Sequence, residues 1–568
     1  MMSPAAMISR DACVARDSAD PLHAFRDRFL IPDGIIYLDG NSLGPMPRAA
    51  AGIMSRTIEQ EWGQDLIKSW NSAGWFDMPV RLGDRVGALI GAAPGQTVVC
   101  DTTSINLYKA IHAAIGLRPG RDVVIAEDES FPTDLYIVEG AMKSAGRPMT
   151  RRLIGADGPS IEAMLDDRVA VAVLSHVNYR TGALLDMTAI TKQLHDIGAL
   201  VVWDLCHSTG VVEIAFDLDD VDFAVGCTYK YLNGGPGSPA FIAVAKAHQA
   251  AAQHPLSGWW GHAAPFAFDR DFRPDAGIKR FLCGTQPIIS MRGVDVALDA
   301  MKGVEVAALR QKSLALTELF MARVAALLPD LEIVTPHRPS LRGSQVGISF
   351  DKGYAVIQAM IARGVTGDFR APDLMRFGFA PLYVRFQDVW DAAEILAECI
   401  RAEVWRDPRF TRRLDVTSGG SPPAAWVSIE PRPFRRAVMG DGAAGRLADQ
   451  PRIFCQRACP MPRRPWFPGL PPRCEFTVVD QQIHPACASV DPDTVTVAHE
   501  RQRATDERFR RDIADAHASR GAGKAPVGNQ RDLFAHALPV DQRGDAEHLA
   551  HAGAADRALV ADDENLAC

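Results

Sequence analysis

The chain has 568 residues, with 61 Lys and Arg against 69 Asp and Glu and a formal net charge of −8. At about 150 residues per domain that length suggests two to four domains, and the mildly acidic balance argues against a general nucleic-acid binder, which carries a basic domain. No apolar run reaches the roughly 18 residues of a membrane span, and Met1 to Asp20, with Asp11 and Asp17 and no apolar core, lacks the pattern of a secretory signal.

The first clear helical stretch runs from Ile105 to Leu117. Val123-Val124-Ile125-Ala126, Val171-Ala172-Val173-Leu174 and Leu200-Val201-Val202-Trp203 follow. These short, continuous, β-branched runs suit strands buried on both faces of a parallel sheet. A helix over Met187 to Ile197 leads into the third run, and a further strand is expected between Val221 and Val225. Strand and helix in alternation imply right-handed crossovers and a doubly wound α/β fold with a mostly parallel central sheet. After about Gly293 the pattern turns helical, from Val294 to Leu328. It is strand-like over Gln345 to Phe350 and helical again over Val389 to Val404, which suits a smaller C-terminal α+β domain.

From about Thr417 the character changes. Residues 417–568 hold 18 Arg but a single Lys, Lys524, and Ser421-Pro422-Pro423, Pro460-Met461-Pro462 and Pro471-Pro472 break up periodicity. Such a segment is expected to be mostly disordered, with at best a helix over Glu500 to Ala518. The Arg-over-Lys bias is also what out-of-frame translation of a GC-rich gene gives. The eleven Cys of the chain are irregularly spaced and read as reduced thiols of a cytoplasmic protein. Cys455 and Cys459 form a lone C-x3-C without a second pair, so no metal site is expected.

The chemistry concentrates in two segments. Val201-Val202-Trp203-Asp204-Leu205-Cys206-His207-Ser208 ends a buried strand in a carboxylate, and ligands of open α/β sheets bind beyond the carboxyl ends of strands. Gly226-Cys227-Thr228-Tyr229-Lys230-Tyr231 follows and places a lysine in a short turn. Alone, Asp204 suits a helix cap or an ion pair and Lys230 a solvated lysine. Together they are the pair that pyridoxal phosphate requires, a lysine amine for the aldehyde and a carboxylate for the pyridine nitrogen. Asp101-Thr102-Thr103-Ser104, just before the helix at Ile105, offers hydroxyls and free N–H groups to a phosphate, or a plain N-cap. Phe131, in Ser130-Phe131-Pro132-Thr133-Asp134, follows a strand and is placed either to cover the ring or to pack in the core.

Several motifs coincide with one family. Tyr37-Leu38-Asp39-Gly40-Asn41-Ser42-Leu43-Gly44, Phe131-Pro132-Thr133-Asp134, Asp204-Leu205-Cys206-His207-Ser208, Tyr229-Lys230-Tyr231-Leu232-Asn233-Gly234-Gly235-Pro236-Gly237 and Gly258-Trp259-Trp260-Gly261-His262 resemble kynureninase, over about residues 20 to 412. The resemblance implies a fold-type-I, pyridoxal-phosphate-dependent homodimer that hydrolyses L-kynurenine to anthranilate and L-alanine, a step of the kynurenine pathway of tryptophan catabolism and NAD biosynthesis. The expected domains are an N-terminal arm with the first segment of the small domain over 1–65, a large cofactor-binding α/β domain over 66–293 and a small C-terminal α+β domain over 294–416. Position by position, Lys230 is the Schiff-base lysine, Asp204 the partner of the pyridine nitrogen and Tyr229 the tyrosine of proton transfer. His207 lies beside the cofactor, and Thr103 and Ser104 serve the phosphate. Phe131, Pro132, Thr133 and Asp134 complete the cofactor pocket. Trp259 and Thr285 enter from the second subunit, and Thr285 stands where some relatives carry Asn. Arg376, in Leu374-Met375-Arg376-Phe377-Gly378, grips the substrate carboxylate as a planar fork. Trp75 matches the bulky residue beside the aniline ring and favours kynurenine over its 3-hydroxy form. Burial and nearby positive charge are expected to lower the Lys230 amine so that it acts as a base.

Other readings have sequence signatures of their own. A cysteine desulfurase of the same fold needs a reactive Cys on a mobile loop, and the candidates Cys283 and Cys399 lie in no Gly/Ser-rich loop. A cofactor-binding regulator needs a helix-turn-helix domain, which residues before 20 do not provide. The tail as an interaction module would use Arg435-Arg436, Arg463-Arg464 and Arg508 to Arg511, yet its charge is balanced, 19 Lys and Arg against 20 Asp and Glu.

Overall fold

Thirteen strands are assigned among the residues that the structure, a computed structural model, describes: 9–155 and 160–412. All described residues fall in the first of the two units into which the chain divides, residues 1–433. The expected low-order tail, its Glu500 to Ala518 helix and the Cys455–Cys459 pair lie outside the described residues.

In chain order the strands are β1 (Ile36–Tyr37), β2 (Thr97–Val99), β3 (Val123–Glu127), β4 (Thr150–Ile154), β5 (Val169–Ser175), β6 (Leu200–Asp204) and β7 (Phe223–Gly226). Then come β8 (Phe241–Val244), β9 (Glu332–Ile333), β10 (Gln345–Ser349), β11 (Val365–Thr366), β12 (Asp368–Arg370) and β13 (Leu374–Gly378). The central sheet has seven strands in the order β2-β8-β7-β6-β5-β3-β4. Every pairing from β4 across to β7 is parallel, and β8 runs antiparallel to both of its neighbours. A four-stranded antiparallel sheet, β12-β13-β10-β9, and the parallel pair β1-β11 form the second part. The expected α/β fold with a mostly parallel sheet and a smaller α+β part is therefore present.

The apolar runs are strands because both of their faces are covered. Strands β3, β5, β6, β7 and β8 are buried at every position. Alternation then divides their side chains between two cores: Val123, Ile125, Val201 and Trp203 join one, and Val124, Ala126, Leu200 and Val202 join the other. Each buried Val, Ile or Leu among them contributes roughly 1.5–3 kcal/mol.

Two helices differ from expectation. The helix expected from Ile105 begins at Thr103, because Thr102 is extended and its hydroxyl accepts the Ile105 N–H at 3.3 Å, an N-cap. The run expected from Val294 to Leu328 is two helices, Ile288–Ala300 and Val306–Leu327, separated where Gly303 takes a φ of +87°. The first of these helices spans the expected 293/294 domain junction. At the N-terminus, helix Arg10–Ala19 is pinned to helix Phe386–Arg401: both carboxylate oxygens of Asp17 accept first-turn N–H groups, from Phe386 at 2.6 Å and Gln387 at 2.9 Å.

Candidate active site

The carboxyl ends of β5, β6 and β7 meet at one point, since Ser175 pairs with Asp204 and Asp204 with Val225. Lys230 follows four residues after β7. Its turn is closed by Gly234 N–H donating to Thr228 O at 2.8 Å and Asn233 N–H donating to Lys230 O at 2.9 Å, while the Thr228 hydroxyl donates to Pro239 O at 2.7 Å. Asn233 takes a φ of +59° and its Nδ2 donates to Tyr231 O at 2.8 Å. The N-terminal loop docks on the same turn, with Gly44 N–H donating to Tyr229 O at 2.8 Å.

A cavity of about 220 Å³ opens there. It is lined by Thr103, Ser104, Phe131, Thr133, Asp134, Asp204, His207, Tyr229, Lys230 and Arg376, so ten of the expected residues share one space. Pro132 stands behind them as the first residue of helix Pro132–Ser144. Trp75, Trp259 and Thr285 do not line it. Trp75 is half-buried, its Nε1 donating to Glu61 at 2.9 Å and its ring 6.1 Å from Trp70. Trp259 stacks on Trp260 with centroids 5.3 Å apart and is 39% exposed, and Thr285 is exposed.

Charge in the cavity is divided unevenly. Burial, then the charge of Asp204 and a hydrogen bond to it, push the Asp134 carboxyl well above its ordinary value. Burial and the positive charges of Lys230, Arg376 and Arg370 push His207 well below its ordinary value. A neutral His207 Nε2 therefore accepts from Lys230 Nζ at 2.9 Å. Burial alone lowers the Lys230 amine, but the thiols of Cys227 and Cys206 and the carboxylate of Asp204 outweigh it, and the amine lies above its ordinary value. The amine is thus raised where lowering was expected, because three acidic groups surround it. Burial raises the Tyr229 hydroxyl, which keeps its proton.

The residues fit pyridoxal phosphate. Thr103 and Ser104 open a 15-residue helix whose first-turn N–H groups favour an anion. Asp204 lines the cavity at the end of β6, a carboxylate suited to a protonated ring nitrogen, and Phe131, 45% exposed, stands edge-on to Tyr179 at 5.3 Å at the cavity wall. His207 Nδ1 is buried without a partner among the described residues.

Cavity residues missed from sequence are Asn41, Ser42, Ser175, Val177, Tyr179, Cys206 and Arg370. Asn41, Ser42 and Cys206 lay inside the family-like motifs. The others had no local signal, since tertiary pairing brings them in. The cysteine in the cavity is Cys206, held by the Cys227 N–H at 3.2 Å. Cys283 bonds Leu256 O at 3.0 Å and Cys399 is fully buried in a helix, so neither desulfurase candidate reaches the cavity.

A mostly parallel sheet with an aspartate at the end of β6 and a lysine in the turn after β7, both in one cavity, defines a fold-type-I pyridoxal-phosphate enzyme. Solved structures share the fold. A cysteine desulfurase from Escherichia coli matches with a TM-score of 0.56 at 16% identity, covering 67% of this chain and 98% of its own. A C-DES variant with glycine covalently linked to its PLP cofactor matches with a TM-score of 0.56 at 15% identity, covering 65% of this chain and 98% of its own. The family described as kynureninase C-terminal domain matches residues 309–396. Kynureninase of Burkholderia pseudomallei is 51% identical over 417 residues, 72% of this chain and 100% of that protein. Kynureninase of Pseudomonas fluorescens is 48% identical over 418 residues, again 72% of this chain and 100% of that protein. The chain belongs to the kynureninase family, and pyridoxal phosphate is its cofactor.

Proposed function

We propose that the chain hydrolyses L-kynurenine to anthranilate and L-alanine, in tryptophan catabolism and the pathway toward NAD, as a cytoplasmic homodimer. The observation that carries this reading is that Asp204, Lys230 and Arg376 line one cavity in a chain of this family. Among the described residues no helix is long and apolar enough to cross a membrane. The substrate is a small molecule, and neither nucleic acid nor a metal has a part.

When bound, pyridoxal phosphate supplies an aldehyde that holds amines covalently and a protonated ring that accepts electrons. Thr103 and Ser104 would hold its phosphate, and Asp204 would keep the ring nitrogen protonated. Lys230 Nζ would bind the aldehyde and, as a free amine, would remove and return the α-proton. Neutral His207 receives a hydrogen bond from that amine and fixes its direction. The Tyr229 hydroxyl, protonated through burial, is the proton donor on the phosphate side. Arg376 binds the α-carboxylate. The large domain spans 66–293 between an arm at 1–65 and a small domain at 294–416. Trp259 and Thr285 would serve the site of the other subunit, and Trp75, which lies outside the cavity of its own subunit, would meet the aniline ring at the shared site and favour kynurenine.

An absorption spectrum followed by addition of L-kynurenine tests the reading. A visible cofactor band, anthranilate fluorescence, and loss of both the covalent band and at least three orders of magnitude of rate in Lys230→Ala are expected. A band without anthranilate would move the chain to another reaction of the same fold.

A further inference from the structure

Arg376 is largely engaged within the protein. A guanidinium carries five N–H donors. In Arg376, Nε donates to Asp368 Oδ1 at 2.9 Å and Nη2 to Asp368 Oδ2 at 2.5 Å. Nη2 also donates to Ser42 Oγ at 2.8 Å, and Nη1 to Tyr179 O at 2.6 Å. One N–H, on Nη1, is left, whereas a carboxylate held by a planar fork takes two. The residue is also 1% exposed, so it presents little of itself to the cavity.

Arg370 stands beside it. The antiparallel register sets Asp368 opposite Arg376 and Arg370 opposite Leu374. Side chains alternate along a strand, so Asp368, Arg370 and Arg376 share one face, with Arg370 the diagonal neighbour of Arg376. Arg370 Nη2 donates to Asp368 Oδ2 at 2.7 Å and to Ser42 Oγ at 3.4 Å. Its Nη1 makes no hydrogen bond among the described residues. The side chain is 36% exposed and lines the same cavity. Ser42 in turn donates to Asp368 Oδ2 at 2.8 Å. While Asp39 keeps its proton, with a pKa raised to about 7, one carboxylate between two guanidiniums leaves one positive charge over, which a ligand carboxylate completes.

We propose that Arg370 is a specificity-determining residue for the substrate's α-carboxylate, Nη1 of Arg370 taking one oxygen and Nη1 of Arg376 the other, with Asp368 and Ser42 fixing the pair. The proposal rests on the reading of Arg376 as the carboxylate-binding arginine. It predicts that discrimination between an α-amino acid and its amide is shared between the two arginines.

The test compares wild-type, Arg370→Gln, Arg370→Lys and Arg376→Gln full-length proteins, each loaded with cofactor. L-Alanine and L-alaninamide are titrated against the cofactor spectrum, and KM and kcat are measured with L-kynurenine. Arg370→Gln is expected to weaken L-alanine and raise KM by roughly ten- to a hundredfold, the effect of a hydrogen bond to a charged group. Alaninamide binding and kcat stay within about threefold, because a neutral amide has no charge to lose. Arg370→Lys retains part of the acid preference. The proposal is overturned if Arg370→Gln leaves L-alanine unchanged or weakens acid and amide equally. If Arg376→Gln alone abolishes the preference, only Arg370 has been misassigned. If neither variant changes it, the Arg376 reading falls as well.

Discussion

Asp39 shows how a single carboxyl can set a pH dependence from inside the site's support. It pairs with Gly378 at the end of β13, within the influence of both arginines, and its Oδ1 is buried without a partner among the described residues. Burial first, then the charge of Asp368, raises its pKa to about 7. Asp368 shows the opposite outcome of the same contest: burial works to raise it, and the guanidiniums of Arg376 and Arg370 hold it below its ordinary value. Between the ordinary carboxylate range and about pH 7 the folded protein keeps a proton on Asp39 that the unfolded chain has released. Folding is therefore favoured less as pH rises through that window. Asp39→Asn, which has no proton to release, is expected to flatten the fall in stability between about pH 4 and pH 7. Denaturant midpoints measured at several pH values for both proteins check this. An unchanged slope would mean that Asp39 is ionised throughout.

At the scale of elements, the docking of the N-terminal loop on the lysine turn depends on one missing side chain. A Cβ on Gly44 would lie 2.5 Å from Lys230 O and 2.3 Å from Asn233 Oδ1. Backbone, and not the end of a flexible chain, stands in the way at Lys230. Gly44→Ala is expected to cost about 1–3 kcal/mol of stability, as overpacking does, and to weaken cofactor binding, because the turn that carries Lys230 must shift. Urea unfolding and a cofactor titration read the two effects, and tight cofactor binding in a destabilised variant would separate the loop from the site. The same scale explains what sequence could reveal. Strands β3, β5, β6 and β7 were legible because burial on both faces leaves apolar runs in them, broken by a polar residue only at the carboxyl ends of β3, β5 and β6. With β6 and β7 fixed, Asp204 and Lys230 had to fall at adjacent strand ends. The two-residue strands β9 and β11 and the half-buried β12 bury too little to leave a pattern. Arg370 was hidden with them, since only the pairing of β12 with β13 brings it beside Arg376. The helix start at Thr103 was missed because Thr-Thr-Ser carries no apolar periodicity.

For the whole molecule, the open question is what covers the loops that carry Trp259 and Thr285. Trp259 and Phe272 are each 39% exposed, Phe266 66% and Phe268 82%, and all four line a second cavity of about 600 Å³. Contiguous apolar surface of this kind marks an interaction site, and on the proposed homodimer it would lie where one subunit reaches toward the site of the other. Phe76 ties this surface to the segment that carries Trp75, its ring 5.6 Å from Phe266 and 5.7 Å from Trp260. Assembly and activity should then fail together. Phe268→Asp places a charge on the patch without touching the chain's own cavity, and it is expected to raise the dimer dissociation constant by at least tenfold. Dilution of this variant should lower specific activity over the concentration range in which sedimentation shows dimers giving way to monomers. Wild-type protein should show the same coincidence at lower concentration. Monomers that retain full activity per chain would place every residue the reaction needs within one subunit and remove Trp259 and Thr285 from the site.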